Sequence, residues 1–588
     1  MNNQRNIILF CVLSLLMLFG SQFLTEKFYP QPEAPAPSAQ NAAPAASGTA
    51  QHTRDGGLVD PTELAIEKRD LVTALATPGR IKIDAPEVAG SINPVGARID
   101  DIVLKTHRET VEKDSGPVRM FSPDGTPAQQ FVQFGWVGNN VVLPTGQTVW
   151  QVEGDQLAPG KPVTLRWNNG QGLLFTLRYS IDEFYMLTVD QTVANTGATS
   201  VAVQPYGFIN RTSRTASTDT WNLHSGPIGE FGDSVNFKWN YSDVAEAGSG
   251  APEGRMRWVG FTDIYWLSAL IPQADARASG DFRSLGQDLF RADMIYDTVN
   301  VPAGKQITRT TQLFAGAKES AVLDHYEAAG VPRFGLAIDW GWFNWFMYPI
   351  FWLLKQLFAL TGNFGVAIIL LTVVIRGLMF PIAQKQFASM AQLRAVQPKM
   401  KALQDRYKDD RVKLQQEMGK LYKEEKVNPL AGCLPIFLQI PIFFALYKTL
   451  LVAIEMRHKP FVLWIKDLSA PDPATILNLF GLLDFTPPGF LAIGLLALLL
   501  GITMWLQFKL NPAAMDPMQQ QMFMIMPWVL MFVMAPFAAG LLLYWITSNI
   551  LTLGQQKYLY SRHPQLKAQM EKDREDKARA AEREKANG

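Results

Sequence analysis

"IILLTVVIRGLMFP", residues 368–381, decides how the chain is read. Thirteen of its fourteen residues are uncharged, most of them bulky and apolar, yet Arg376 stands among them. A charge at the centre of a bilayer costs roughly 2.5–3.5 kcal/mol on insertion scales. An arginine kept there has either a task or an escape. The run extends over 364–383, long enough to span hydrocarbon. Arg376 would then lie about 10 Å from the end nearer residue 383, at 1.5 Å per residue. Two roles are open at that depth. The side chain reaches the headgroups along its own stem, or it faces a hydrated cavity inside a helix bundle. Thr372, one turn earlier on the same face, and Gln439 in a later apolar run supply polar atoms of the kind such a cavity needs.

The rest of the 588 residues divides sharply. Apolar residues make up 48% and charged residues 18%, but the long uncharged runs sit at the N-terminus and after residue 340. A net charge of +1 gives no basic field, so direct sequence-specific nucleic-acid binding is not expected. Residues 7–24 form an apolar run behind Arg5 and read as an uncleaved signal anchor, because no small-residue cleavage site follows. A Pro/Ala/Ser-rich stretch has too little apolar content to fold. Strand patterning begins beyond it. In "FTLRYSID" (175–182) Phe175, Leu177, Tyr179 and Ile181 alternate with polar residues, the period of a half-buried antiparallel strand. Similar strands, broken by turn pairs such as Asp124-Gly125 and Asn169-Gly170, predict a large β-sandwich closed by a helix near 318–330.

Residues 340–360 are aromatic-rich with a single charge, Lys355, and could span. Span parity argues otherwise. One crossing after the β domain places segment 384–429, with eleven Lys/Arg against six acidic residues, on the cytoplasmic side. The 340–360 run therefore lies along the outer interface. Further crossings are expected at 430–454 and 489–508. The block 522–554 is split by "APFAAG" (535–540) into two short spans of about 14 residues each, below the ~20 of an ordinary crossing. The expected plan is a signal-anchor span (1–25), a disordered linker (26–57), a β-sandwich domain (58–333), an interfacial amphipathic helix (334–362), a second span (363–383), a cytoplasmic helical hairpin (384–429), four further spans (430–556) and a charged cytoplasmic tail (557–588). That is an α-helical polytopic membrane protein of six spans with a large antiparallel β-sandwich, both termini cytoplasmic.

Catalytic chemistry is poorly supplied. The six histidines are scattered and read as surface or loop residues, and no metal-ligand spacing, phosphate loop or nucleophile elbow occurs. No cofactor or metal is expected, and the protein reads as not an enzyme. Cys11 and Cys433 both fall in apolar runs, which argues against a disulfide framework. Lys448 lies close enough to the outer end of its run to snorkel outward, and Glu455, Arg457, His458 and Lys459 beyond it read as an interface anchor. In 384–429 Met390, Leu393, Leu403, Leu414, Met418 and Leu421 recur at helical spacing. Pro398 interrupts that pattern and Asp409-Asp410 marks a turn, so an antiparallel helix pair is expected, a candidate docking arm.

The stretches "VVIRGLMFPIAQKQFASMAQLRAVQPKM", "YKEEKVNPLAGCLPIFLQIPIFFALY", "FVLWIKDLSAPDP", "DPMQQQMFMIMP" and "GLLLYWITSNILTLGQQ" closely resemble the YidC membrane-protein insertases of Gram-negative bacteria, a family with mitochondrial and chloroplast relatives. The resemblance covers the five C-terminal spans and their loops in order. It implies an insertase and chaperone core in the bacterial inner membrane, with the β domain in the periplasm and no nucleotide hydrolysis. Arg376, Thr372 and Gln439 would line a hydrophilic groove that receives the polar segment of a nascent protein. Leu434, Pro435, Pro441, Phe443 and Trp545 match a hydrophobic slide, with Trp545 standing where a tyrosine is common. Asp516 matches a ribosome-contacting loop. The implied partners are nascent membrane proteins, the ribosome, the Sec translocon with its accessory subunits, and the lipid bilayer. The family's β-sandwich is similar to sugar-binding folds, which alone does not license sugar binding. Two other readings stay in view: a transporter using Arg376 for an anionic solute, and a carbohydrate-binding envelope protein whose helices only anchor it.

Overall fold

Strand Leu173–Ile181 alternates as its sequence demands: Phe175, Leu177 and Tyr179 are fully buried and Arg178 is exposed. It pairs antiparallel with Met186–Asn195, which pairs with the long strand Lys305–Ala317. These strands form the centre of a nine-stranded sheet, antiparallel throughout, running from Ser234–Asn236 at one edge to Gln151–Glu153 at the other. An eleven-stranded sheet is centred on Val201–Thr212, flanked by Gln130–Val137 and Leu289–Tyr296. The expected sandwich is present.

The computed structural model describes residues 58, 60–112, 114–217, 223–341, 343–407, 410–425, 434–479, 483, 492–510 and 517–562. The expected N-terminal anchor, its linker, Asp516 and the tail beyond 562 lie outside the described residues. Helices α1 (Pro61–Leu75), α2 (Tyr241–Ala247) and α3 (Ser320–Ala328) accompany the sandwich. Eight more follow: α4 (Asn344–Thr361), α5 (Phe364–Leu378), α6 (Phe380–Arg406), α7 (Arg411–Glu424), α8 (Leu434–Val452), α9 (Leu495–Leu510), α10 (Pro517–Met534) and α11 (Ala539–Arg562).

The break between α4 and α5 is built from local chemistry. Gly362 takes the left-handed conformation (φ 67°) and closes α4 with its N–H on Phe358 O at 2.7 Å. Asn363 then caps α5 by accepting from Val366 N at 3.2 Å. The stretch that opened the reading does not form one continuous helix. α5 ends at Leu378, and α6 starts at Phe380 with a bend of 55°, because Pro381 is tolerated in a first turn but not in a helix interior. Among the described residues no single helix is long and apolar enough to cross a membrane; α5 with Phe380–Gln386 passes that test only as a bent pair.

Two other expectations change. Pro398 does not interrupt α6, which runs 27 residues straight through it. Val396 and Met400 flank it and bury against Leu421 of α7 in a small core of their own, which offsets the lost hydrogen bond. The turn falls where expected: Asp410 caps α7 by accepting from Lys413 N at 3.0 Å. The last apolar block does break at 535–538, but its helices have 18 and 24 residues rather than about 14 each, because each continues into polar sequence.

The β domain and the helices share one connected apolar core, and their seam is charged. Lys448 does not snorkel outward. It is buried in α8 and donates to Asp339 Oδ2 at 2.9 Å, a carboxylate carried by the segment leaving the sandwich. Nor do Glu455 and Arg457 form a membrane-interface anchor. Glu455 Oε1 accepts from the Ser320 backbone and hydroxyl at 3.0 and 2.6 Å. Arg457 donates to the Arg108 and Glu109 carbonyls at 2.8 and 3.2 Å and lies over the Trp266 ring. The reason is proximity: the β domain supplies donors to Glu455 and acceptors to Arg457.

Histidines also turn structural here. His224 is buried against Pro227 O at 2.8 Å, and His458 sits in the seam. Burial pushes His458 down to about 4, aided by Arg457, which donates to its Nδ1 at 3.3 Å, and by His107. The unfolded chain takes up this proton near 6.5 while the folded chain resists until about 4. Stability should therefore fall as pH drops through that window. His458→Gln should flatten this part of the pH–stability curve, read by thermal unfolding of the full chain in detergent. Equal slopes in both proteins would contradict the assignment.

Candidate functional site

Three helices meet around Arg376, and a glycine lets them. A β-carbon on Gly540, at the start of α11, would lie 2.9 Å from Leu450 Cδ2 of α8 and 3.2 Å from Ile368 Cδ1 of α5. Without it α11 crosses close to both, which brings Tyr544, Trp545 and Ser548 to the level of Arg376 and Gln439.

Arg376 is half-buried in the last turn of α5. Its Nε donates to Ser548 Oγ at 2.9 Å, and a second guanidinium nitrogen bonds the same oxygen. Gln555 Nε2 donates to the Arg376 carbonyl at 3.4 Å. Among the described residues no carboxylate lies within ion-pair distance of this guanidinium. A cation held by a neutral hydroxyl keeps donors available to an incoming anion, since guanidinium carries five N–H groups. Gln439, on α8, donates through Nε2 to the Tyr544 hydroxyl. Tyr544, Ser548 and Thr552 recur every fourth residue, so α11 presents one polar ladder, with Thr552 Oγ1 donating to Ser548 O at 2.7 Å.

Beside this polar group stands an aromatic one. The Phe443 and Trp545 rings meet edge to face at 5.2 Å, and Phe443 stacks parallel to Tyr447 at 6.3 Å. Arg376, Gln439, Phe443 and Trp545 are thus brought together from α5, α8 and α11. Pro441 lies half-buried between Gln439 and Phe443 on α8. Thr372 is buried, and its hydroxyl donates to Ile368 O at 2.7 Å within its own helix. Leu434 and Pro435 open α8, and their side chains lie outside the described residues, as does Asp516. Ser548 and Tyr544 were missed from the sequence. Their signal was present: "YWITS" sets a hydroxyl one turn beyond a phenol in an apolar run.

Short apolar helices with a polar cluster among them adjoin a large β domain. Residues 80–353 match the YidC periplasmic domain and residues 356–567 the 60Kd inner membrane protein family. A membrane protein insertase YidC of Zymomonas mobilis is 46% identical over 96% of this chain and 96% of its own. One from Methylorubrum extorquens is 41% identical with the same coverage of both chains. Among solved structures, an active YidC insertase with its first transmembrane domain resolved covers 84% of this chain and 97% of its own, at 17% identity and a TM-score of 0.36. The chain belongs to the YidC family. It is a membrane-protein insertase of the bacterial inner membrane with a periplasmic domain, and its relatives are insertases rather than enzymes. The transporter and envelope-binding readings give way to that.

Proposed function

We propose that Arg376, Ser548, Gln439 and Tyr544 form the receiving end of a hydrophilic groove for the polar segment of a nascent protein, while its apolar helix leaves along Phe443, Pro441 and Trp545. The observation that carries this reading is the guanidinium held by a hydroxyl, with no carboxylate partner among the described residues. A free-standing positive charge in a half-buried recess attracts acidic residues of a translocating loop. An apolar helix of about 20 residues then gains enough on entering lipid to drive the step without nucleotide. Leu434 and Pro435 would begin the slide and Thr372 would back the groove wall.

In this reading the chain crosses the membrane six times, with the termini and the α6–α7 hairpin in the cytoplasm, as the basic excess of 384–429 favours. The hairpin and the loop carrying Asp516 would meet the ribosome, and the Sec translocon would share clients. The domain plan set out from the sequence stands as part of this proposal, with the last helix carried on to Arg562.

Photo-crosslinkers at Gln439, Phe443 and Trp545 should capture a ribosome-stalled membrane protein through its apolar segment, whereas one at the exposed Val412 of α7 should not. Absence of adducts from all three groove positions would sink the slide.

A further inference from the structure

The turn that follows α8 carries two exposed apolar residues at its tip. Residues 459–466 read "KPFVLWIK", and their side chains sort by direction. Phe461 packs against α5, where a β-carbon on Gly365 would overlap its ring. Asn363, which caps α5, donates through Nδ2 to the Phe461 carbonyl at 3.0 Å. Ile465 is buried, and Trp464 Nε1 donates to Asp472 Oδ1 at 2.9 Å. Val462 and Leu463 turn the other way. Val462 is 49% exposed and Leu463 87%, more than any other large apolar side chain among the described residues.

The turn holds that presentation against its own preference. Leu463 takes φ 57°, a left-handed conformation that a bulky side chain resists. Backbone bonds fix it there: Phe461 N donates to Ile465 O at 3.0 Å and Ile465 N to Val462 O at 3.2 Å. A tip meant for water would gain from glycine or asparagine at this φ, and lose nothing by giving up the leucine.

Position says what meets the tip. Asn363 and Gly365 mark the end of α5 far from Arg376, and α4 finishes at the same junction. Leu360, in the last turn of α4, is 79% exposed, and Trp352 of the same helix is exposed as well. The finger thus continues an apolar and aromatic face already turned outward at this level. Lys459 and Lys466 bracket it, both exposed, Lys466 meeting Glu112 at 3.7 Å in an exposed pair. An apolar pair between two lysines, at the end of an apolar helix, suits a bilayer surface: the leucine enters hydrocarbon while the ammonium groups stay at phosphate level.

We propose that Val462 and Leu463 form a finger that enters the periplasmic leaflet of the bilayer beside the outer end of α5, with Lys459 and Lys466 at the lipid phosphates. The inference rests on α5 crossing the membrane with its Asn363 end at the periplasmic face. Because Phe461 is clamped to Asn363 and Gly365, the finger ties the height of α5 to that leaflet, and with it the depth of Arg376.

The test places a nitroxide at Leu463→Cys in the full chain, with Cys11→Ala and Cys433→Ala, in nanodiscs of phosphatidylcholine and phosphatidylglycerol. Collision with oxygen, which concentrates in hydrocarbon, is compared with collision with a neutral nickel chelate, which stays in water. Nickel collision at Leu463 should be about tenfold weaker than at the same label on exposed Val412 of α7, with oxygen dominant. Val462→Cys supplies a second, independent position. Lys459→Gln/Lys466→Gln should raise nickel access at Leu463 about twofold, and an unchanged rate would overturn the phosphate contact. A label at Leu499, exposed on α9, reads the membrane placement separately. Nickel access at both tip positions equal to that at Val412, with Leu499 shielded, would overturn the finger alone and make a soluble protein the tip's partner. Nickel access at Leu499 as well would overturn the finger together with the membrane placement it rests on.

Discussion

Arg376→Ala is expected to slow insertion of a small membrane protein with an acidic translocated segment by about tenfold to a hundredfold, the worth of a charged hydrogen bond of roughly 1.5–3 kcal/mol. Arg376→Lys should retain more activity than the alanine variant, because a point charge still attracts carboxylates though it cannot fork to two acceptors. The effect should track the client. A substrate whose translocated segment carries no acidic residue should lose far less, and rising salt should shrink the wild-type advantage where the recess is wet. Ser548→Ala adds a discriminating arm. It removes the hydroxyl that fixes the guanidinium without removing charge, so its loss should be smaller than that of Arg376→Ala. Equal losses in the alanine and lysine variants would shift the explanation from charge to guanidinium geometry.

The larger effect on stability belongs to the seam. Lys448→Met takes from the half-buried Asp339 the ammonium that donates to it, and Asp339→Asn takes from the buried Lys448 the carboxylate of that pair. Breaking one side of a buried pair costs roughly 3–5 kcal/mol, most of it the desolvation of the charge left behind. Either single variant should unfold at markedly lower denaturant concentration than wild type, followed by tryptophan fluorescence of the full chain in detergent. The double variant Lys448→Met/Asp339→Asn should recover much of the loss, because neither charge then remains. A double variant as unstable as the sum of the singles would show that the pair itself carries no coupling.

How much of this was legible follows from how local each signal is. Leu173–Ile181 announced its strand because alternation needs only neighbours, and the break expected between 362 and 363 falls where Gly362 and Asn363 end one helix and cap the next. Arg376 was visible because charge is rare in an apolar run. Its hydroxyl partner was not, since Ser548 lies 172 residues away and a serine in a helix draws no notice. Lys448 was visible as an anomaly but was explained wrongly, because Asp339 is 109 residues distant and outside any window of periodicity. Pro398 misled in the opposite direction. Local propensity ended a helix that tertiary packing at Val396 and Met400 carried through.

The 55° bend at Met379 has a mechanical meaning. α6 begins two residues after the last residue of α5, with no loop between them to absorb motion. At 1.5 Å per residue its 27 residues make an arm of about 40 Å. Its outer half packs on α7 through the separate core at Val396, Met400 and Leu421, beside the exposed Lys399–Glu425 ion pair. A swing of about ten degrees about the bend displaces the far end by about 7 Å, given such an arm. The pivot is three residues from Arg376. A force on the hairpin is therefore delivered to the chain within one helical turn of the guanidinium.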